Sequence, residues 1–465
     1  MHAPAPSEKT SQPAQATDEQ GRKIWRVGTL TYSKAGLIAV FGWLLWGDFA
    51  WMIKERALWP LVPIILKRFE ASDMVTGLLM GTLPAALGLV LGPIVSYRSD
   101  RLRSTRGRRI PYLLASTPVA AAGIIGCAFS SHMGSWLHGV LGASSPGLNV
   151  SALICFGVWW TLFEIGTVIT NAIFYALIND VVPNPLLGRF FGLFRAISLL
   201  AGIIFNLFLI DAAKTYYVHA FVGIGILYGL GFMLMCYKVK EGDYPPPSDN
   251  TTNPGVIGAA RTYLRECFRL PYYWWVFAAY TLGMAVFIPV NMFSVLHSES
   301  LGINIKTYGV YVAITFAISI CLAYPLGALA DRFHPVRTAL ATLILYALLT
   351  TWAGFSTATR EGFTLAFIGH GVVSGMFFTC SASIQQRLFP KEKFAQFASA
   401  AGILTGLANM VIAPVVGKML DLTHNNYSNT YFAGLAICIG AIISYAATYR
   451  HFMKLGGPKG YVPPV

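Results

Sequence analysis

The chain has 465 residues, 55% of them hydrophobic and only 12% charged, with a formal net charge of +14. A soluble domain carries about twice that charge fraction, so the composition points to a polytopic membrane protein. The positive charge does not indicate a nucleic-acid partner, because the basic residues sit in short links between apolar runs and form no continuous face.

Residues 1–30 read as a disordered cytoplasmic tail, polar and rich in Pro, Ala, Gln and Ser over 1–24, with no apolar signal-peptide core. A helix crossing hydrocarbon needs about 20 apolar residues. Six such runs, at 35–66, 74–97, 110–130, 152–179, 188–210 and 216–237, make an N-terminal bundle over 31–237. Lys54-Glu55-Arg56 interrupts the first run. Four tryptophans surround these charges, and Pro60 and Pro63 come only near its outer end, so one long helix is expected. A linker over 238–271 follows, Pro-rich at 244–250, then alternating basic and apolar over 256–270 as an amphipathic helix on the inner leaflet would. Six further runs, at 272–296, 306–329, 335–356, 362–388, 394–421 and 430–452, make a C-terminal bundle over 272–455, and 456–465 is a second cytoplasmic tail.

With the N-terminus inside, 25 of the 34 Lys and Arg residues fall on the inner side and five on the outer side. That bias predicts cytoplasmic termini; a plasma (inner) membrane is the expected location. The seven cysteines are scattered without CxxC spacing or a His/Cys cluster, so neither a metal centre nor a disulfide framework is expected. No phosphate-cradling glycine loop and no nucleophile elbow occur, so neither an enzyme nor a resident cofactor is expected. Asn149-Val150-Ser151 and Asn426-Tyr427-Ser428 match the glycosylation triplet on outer links, a pattern that also arises by chance.

The link between the second and third runs carries Asp100, Arg101, Arg106, Gly107, Arg108 and Arg109, ahead of Pro111. A shorter echo, Gly327-Ala328-Leu329-Ala330-Asp331-Arg332, recurs about half a chain later. An acid followed by bases in a tight inter-span link, present twice, indicates a duplicated transporter. Each Asp can meet the cations of its own loop or a helix N-terminus and so lock the inner face. A solvated basic loop is the plainer alternative.

These residues resemble the signature loop of the major facilitator superfamily. Tyr97-x-Ser99-Asp100-Arg101 and Arg106-Gly107-Arg108-Arg109-x-Pro111 are similar within it to the sucrose-transporter branch and the glycoside–pentoside–hexuronide:cation symporters. The resemblance implies an all-α membrane fold of 12 transmembrane helices in two pseudo-symmetric six-helix bundles. Ser96 stands where the family places glycine, and the second copy lacks the Gly-Arg-Arg continuation. Melibiose-type relatives carry paired acids for sodium in the second span. None lies between Asp73 and Asp100 here, so the resemblance does not extend to that sodium site.

An ionised side chain near the bilayer centre costs about 2.5–3.5 kcal/mol, so buried charges mark candidate machinery. Asp48 lies about 21 Å into the first span at 1.5 Å per residue, and Glu164 at similar depth in the fourth. Together they could bind a proton and a polar substrate. Arg195, in the fifth span, could pair either acid, or join the inner gate beside Asp180. Asp48 could equally be a structural partner of Lys54 or Arg56. Glu55 shares a helix face with Asp48 and is a third candidate, or a partner of Lys54 or Arg56. The C-terminal bundle offers neutral groups that suit hydroxyl-rich substrates: Tyr280, Asn291, His370, Thr379 and Asn409. His370 could instead be a packing residue.

The resulting expectation is a monomeric, proton-coupled symporter of a sugar or glycoside, working by alternating access within the lipid bilayer. An exporter or amphiphile carrier on the same fold is the first rival. A non-transporting sensor is the second.

Overall fold

In the computed structural model, residues 15–17, 23–183, 186–243, 265–390 and 393–464 are described. Twelve helices are long and apolar enough to span a membrane, making this an all-α integral membrane protein. We number them α1 Lys34–Arg68, α2 Asp73–Arg101, α3 Ile110–Ala128, α4 Leu148–Val181, α5 Phe190–Thr215 and α6 Tyr217–Lys238 in the first half. The second half holds α7 Pro271–Ser300, α8 Ile305–Phe333, α9 Pro335–Ser356, α10 Arg360–Leu388, α11 Gln396–Leu422 and α12 Asn429–Lys454. The helical register runs through Lys54-Glu55-Arg56 without a break and continues past Pro60 and Pro63. The amphipathic helix expected over 256–270 lies mostly outside the described residues, of which only 265–268 are helical.

The expectation of a wholly disordered N-terminal tail is corrected. Gln15–Thr17, Lys23–Val27 and Leu30–Tyr32 pair as a three-stranded antiparallel sheet. Ile24, Trp25, Val27, Leu30 and Tyr32 supply an apolar content that the more N-terminal residues lack. At the other end, Tyr461 donates its hydroxyl to the Leu388 carbonyl at 2.7 Å, and Tyr273 donates to the Pro464 carbonyl at 2.8 Å. The C-terminal tail is therefore pinned to the C-terminal bundle.

Within the first bundle α3 packs on α4 and α6, and α1 on α5 and α6; within the second α10 packs on α8 and α9, and α12 on α7 and α9. The bundles meet along α2 with α11, α5 with α8, and α1 with α7. Adding six to each helix number exchanges the first two pairs, as an internal two-fold repeat requires.

Twelve spans return the chain to the side on which it began, so the segments before α1 and after α12 among the described residues lie on one side, called here the terminal face, and the bundles touch mainly in the opposite, distal half. A Cβ placed on Gly77 of α2 would lie 2.5 Å from the Ala413 carbonyl oxygen of α11, so only glycine permits that approach. Gly309 of α8 is pressed in the same way against the backbone of Asn206 in α5. Toward the terminal face, Gly88, Gly92, Gly192, Gly327 and Gly402 have no neighbour within 4 Å of such a position. The buried core follows this division. One apolar cluster joins the first bundle to Met292, Phe293, Phe363, Ala413 and Leu420 at the distal end of the second. The terminal half of the second bundle, around Tyr273, Phe277 and Phe397, keeps a separate core. The molecule is closed at its distal face and parted at its terminal face.

Candidate transport site

Between the parted bundles lies a hollow of three lobes, of about 450, 820 and 660 Å³, sizes ordinary for small-molecule sites. All three share Trp59, and the first two also share Asn291.

Its charged wall comes from the triplet that interrupts α1. Successive helical residues point about 100° apart, so three consecutive charges must face three directions. Lys54 is completely buried inside the first bundle, with its Nζ 3.7 Å from the centre of the Trp51 ring, 2.8 Å from Glu55 Oε1 and 3.4 Å from Thr167 Oγ1. Glu55 turns to the hollow while keeping that ion pair. Arg56 reaches across it, donating to Ser198 Oγ of α5 at 3.1 Å, with its guanidinium 4.8 Å from the centre of the Phe316 ring of α8. Its Nε is buried and has no hydrogen-bond partner.

Glu164 lines the lobe beside Trp160 and Thr167, is only 7% exposed, and has no ion pair among the described residues. The charges that act on it are those of Glu55 and Lys54. One lysine thus serves two acids. Arg195 is exposed within the central lobe and pairs with neither Glu164 nor Asp48. The alternative partner, Asp180, is taken by Arg108 and Arg109.

Asp48 does not line the hollow. It is fully buried, and neither carboxylate oxygen has a hydrogen-bond partner. It shares a face with Glu55 but lies about 10 Å nearer the terminal face. Seven residues below it Phe41 meets Phe190 edge-on at 5.0 Å, so α1 and α5 are packed together on that side. The pairing of Asp48 with Glu164 at one site, expected from matching depth, is therefore corrected.

The facing wall, from α7, α8 and α10, is neutral. His370 is fully buried and held at both ring nitrogens, Nδ1 accepting the Tyr346 hydroxyl at 2.8 Å and Nε2 donating to Asn291 Oδ1 at 2.9 Å. This chain fixes the Asn291 amide at the lobe wall. Trp59 Nε1 donates to the Asn291 carbonyl at 3.2 Å, one of few polar contacts between bundles inside the hollow. Ser294 and Tyr308 share a hydroxyl pair at 2.9 Å in the same lobe. Asn409 lines the second lobe, among glycines and apolar residues of α2 and α11. Tyr280 is half-buried against the core of the second bundle and lines no lobe, and Thr379 bonds back to the Gly375 carbonyl at 2.9 Å.

The sequence pattern of one family, the Major Facilitator Superfamily, matches residues 44–413 and 291–458, nearly the whole span of the bundles. The chain belongs to the major facilitator superfamily. No curated protein matches it. Among solved structures it is similar to a bacterial homolog of the human lysosomal transporter Spinster, inward-facing and unoccupied, at TM-score 0.65 and 13% identity, over 93% of this chain and 100% of that one. It is also similar to the D323A mutant of the nucleoside transporter NupG, at TM-score 0.66 and 11% identity over 88% and 100% of the two chains. The D-xylose–proton symporter gives 0.62 and 16% over 92% and 97%. At these identities the likeness establishes the fold: a major facilitator transporter, with its central hollow open to the terminal face.

In the superfamily's signature loop Asp100 meets a cation of its own loop, as expected of it, and the same cation ties the loop to α4. Arg109 pairs with Asp100 and, at 3.0 Å, with Asp180 of α4, which also receives Arg108 at 2.7 Å. Glu241, beyond α6, accepts the backbone N–H groups of Arg108, Arg109 and Ile110 at 2.9, 2.8 and 2.7 Å, capping α3. Gly107, at φ +95°, is where that carboxylate passes; a Cβ there would lie 2.5 Å from the Glu241 side chain. Arg101 stacks on Tyr97 at 3.9 Å. In the echo, Asp331 pairs with Arg387 of α10 at 2.6 Å, not with a cation of its own loop, because Arg332 turns onto Phe333 at 5.3 Å. These bonds stay within one bundle each.

Apart from the Trp59–Asn291 bond in the hollow, the cross-bundle bonds among the described residues lie toward the distal face. Asp421 of α11 accepts the N–H groups of Asp73 and Met74 at 2.7 and 3.0 Å, and Lys214 pairs with Glu299. Asp421, Glu241 and Arg387 carry no local signal of these partnerships, since each acts on residues remote in sequence.

Proposed function

We propose that this transporter is a proton-coupled symporter of a sugar or glycoside, acting as a monomer with cytoplasmic termini in a plasma membrane. The observation carrying this reading is the two-sided central lobe, in which Glu55, Arg56 and Arg195 face an amide and hydroxyl wall made by Asn291, Ser294 and Tyr308. Amides and hydroxyls both donate and accept, as a polyol requires. Trp59, Phe316 and Phe367 add ring faces for sugar C–H surfaces. Proton coupling is supported by the charge count around Lys54: Glu55 and Glu164 share one lysine, so a single proton brings the three to neutrality before the hollow closes. The similarity of the signature loop to the sucrose-transporter and glycoside–pentoside–hexuronide branches favours the same substrate class.

The amphiphile reading keeps one specific support, the glycine-rich lobe between α2 and α11, whose wall is mostly apolar. Uptake of radiolabelled saccharides into proteoliposomes, with and without an inward proton gradient, tests the proposal. Accumulation only with the gradient is expected, and E164Q should abolish accumulation while preserving exchange. Absence of uptake for every saccharide would defeat the substrate class.

A further inference from the structure

At the distal face the hairpin of α3 and α4 is longer than its counterpart in the second half. A further helix, Ser130–Leu141, follows α3 and stays packed on α4: the close approaches of Gly123 to Phe163 and of Gly134 to Ala152 lie eleven residues apart along each helix. The corresponding link between α9 and α10 is only Thr357–Thr359. No Asp, Glu, Lys or Arg occurs over 110–163. Phe129, Trp136 and Val140 share one helix face and are exposed, the last two by 70% and 64%. A charge-free face with an outward tryptophan suits the bilayer interface, not open water.

Beside this extension a cavity of about 200 Å³ lies between the distal ends of α1 and α6 and the first turn of α4. It is remote from the transport hollow, since α3 and α6 take no part in the three junctions with the second bundle. Ile65, Phe69 and Ala152 give it an apolar floor. Arg68 supplies its charge. The neighbouring Lys67 turns to Asp73 at 2.9 Å, whereas Arg68 lies 5.1 Å from the centre of the Tyr217 ring and donates to the Lys214 carbonyl at 3.3 Å, with no carboxylate partner among the described residues. Gly147 precedes α4 and no side chain caps that helix, so its first N–H groups stand unclaimed at the cavity. Asn149 of the same turn lines the wall, and the hydroxyls of Ser131 and Tyr217 are 3.2 Å apart, so one of their two protons stays free. A guanidinium fork, a long helix's N-terminus and neutral donors, with no acid among them, make an anion site.

We propose that this cavity binds the phosphodiester of a glycerophospholipid from the leaflet at the distal face, with the acyl chains running down the outer sides of α3 and α6. A free phosphate offers the donors the same chemistry. The apolar floor and the uncharged, tryptophan-bearing extension beside it favour the lipid.

Native mass spectrometry of the purified full-length protein counts bound lipid directly. The probes are dioleoyl phosphatidylglycerol, dioleoylglycerol, which lacks the phosphate, glycerol 3-phosphate and inorganic phosphate. Phosphatidylglycerol is expected to form one saturable adduct that R68Q weakens about tenfold or more, the worth of a charge-assisted hydrogen bond. R68K, which keeps the charge and loses the fork, should retain part of the affinity. N149A leaves every charge in place and should weaken the adduct about threefold, the worth of a neutral hydrogen bond. Dioleoylglycerol should bind the wild type and R68Q alike. The unfolding temperature, read with and without phosphatidylglycerol, should rise more in the wild type than in either variant. Equal phosphatidylglycerol binding by the wild type, R68Q and N149A would overturn the site. Binding of glycerol 3-phosphate or inorganic phosphate through Arg68 as tightly as the lipid would overturn the lipid as its occupant.

Discussion

The distal seal contains a bond whose removal should change the conformational equilibrium. The first N–H groups of any helix lack intrahelical acceptors. At α2, Ser72 Oγ takes the Val75 N–H at 3.2 Å, but those of Asp73 and Met74 are taken by Asp421, which belongs to the other bundle. Hydrogen bonds to an ionised acceptor contribute about 1.5–3 kcal/mol each. In D421N one carbonyl oxygen remains to accept, while the amide N–H₂ confronts the second donor, so about one such bond is lost. The distal-closed state should weaken by about 1.5–3 kcal/mol, shifting the closed-to-open ratio roughly ten- to a hundredfold. Lys214–Glu299 and the Tyr427 hydroxyl on Asp73 remain, so the seal loosens without disappearing. Spin labels at exposed Ser135 and Lys306, on the distal ends of the two bundles and with exposed Cys321 replaced, report the separation by double electron–electron resonance. D421N should add a second, longer distance population. A distance distribution identical to that of the wild type would refute the assignment of Asp421 as a lock.

G77V should move the same distances in the same direction, because its side chain must displace the Ala413 backbone. E241A should release three N–H bonds at the start of α3, speeding amide exchange over 107–112 and exposing Arg103 and Arg106 to trypsin, with G107A giving a similar pattern. Y346F leaves the buried His370 Nδ1 without its donor and should cost about 1–3 kcal/mol, read as a lower detergent unfolding temperature. His334, in the link between α8 and α9, stacks on Phe452 at 4.3 Å, and burial, then the Arg387 and Arg337 charges, push its pKa down to about 4. The unfolded imidazole titrates near about 6.5, so its stabilisation is whole above that pH and is lost as pH falls from there to about 4. H334N should flatten the fall in unfolding temperature over that window.

The twelve spans were legible because hydrocarbon length and hydropathy fix them almost independently of tertiary structure. Even the interruption at Lys54-Glu55-Arg56 was readable as helix. Its consequences were not. Three adjacent charges announce that something must receive them, but Thr167, Ser198 and Phe316 are chosen by packing between helices. Depth alone placed Asp48 with Glu164, and depth carries no azimuth relative to the neighbours: Glu164 lines the hollow and Asp48 does not. Asn291 and His370 were identifiable as polar residues on apolar helices, whereas their bond to each other spans α7 and α10. The N-terminal strands escaped notice because short alternation beside a polar segment is a weak signal.

The distribution of polar bonds bears on how such a molecule can alternate. Opening the distal face must break the Asp421 bonds, the Thr82 hydroxyl bond to the Met410 carbonyl at 2.6 Å and the Lys214–Glu299 pair. Opening the terminal face breaks none of the Asp100, Asp180 or Asp331 pairs, which are internal to their bundles. A two-state carrier needs states of comparable energy, so a terminal-closed state has to gain cross-bundle bonds at a face where the Asp100, Asp180 and Asp331 pairs among the described residues each stay within one bundle. The acceptors available are the outward edges of Asp100 and Asp331, whose side chains are 55% and 74% exposed although each already holds an arginine. In each copy of the duplicated acid-and-base link one carboxylate oxygen organises its own bundle, Asp100 Oδ1 through Arg109 and Asp331 Oδ1 through Arg387.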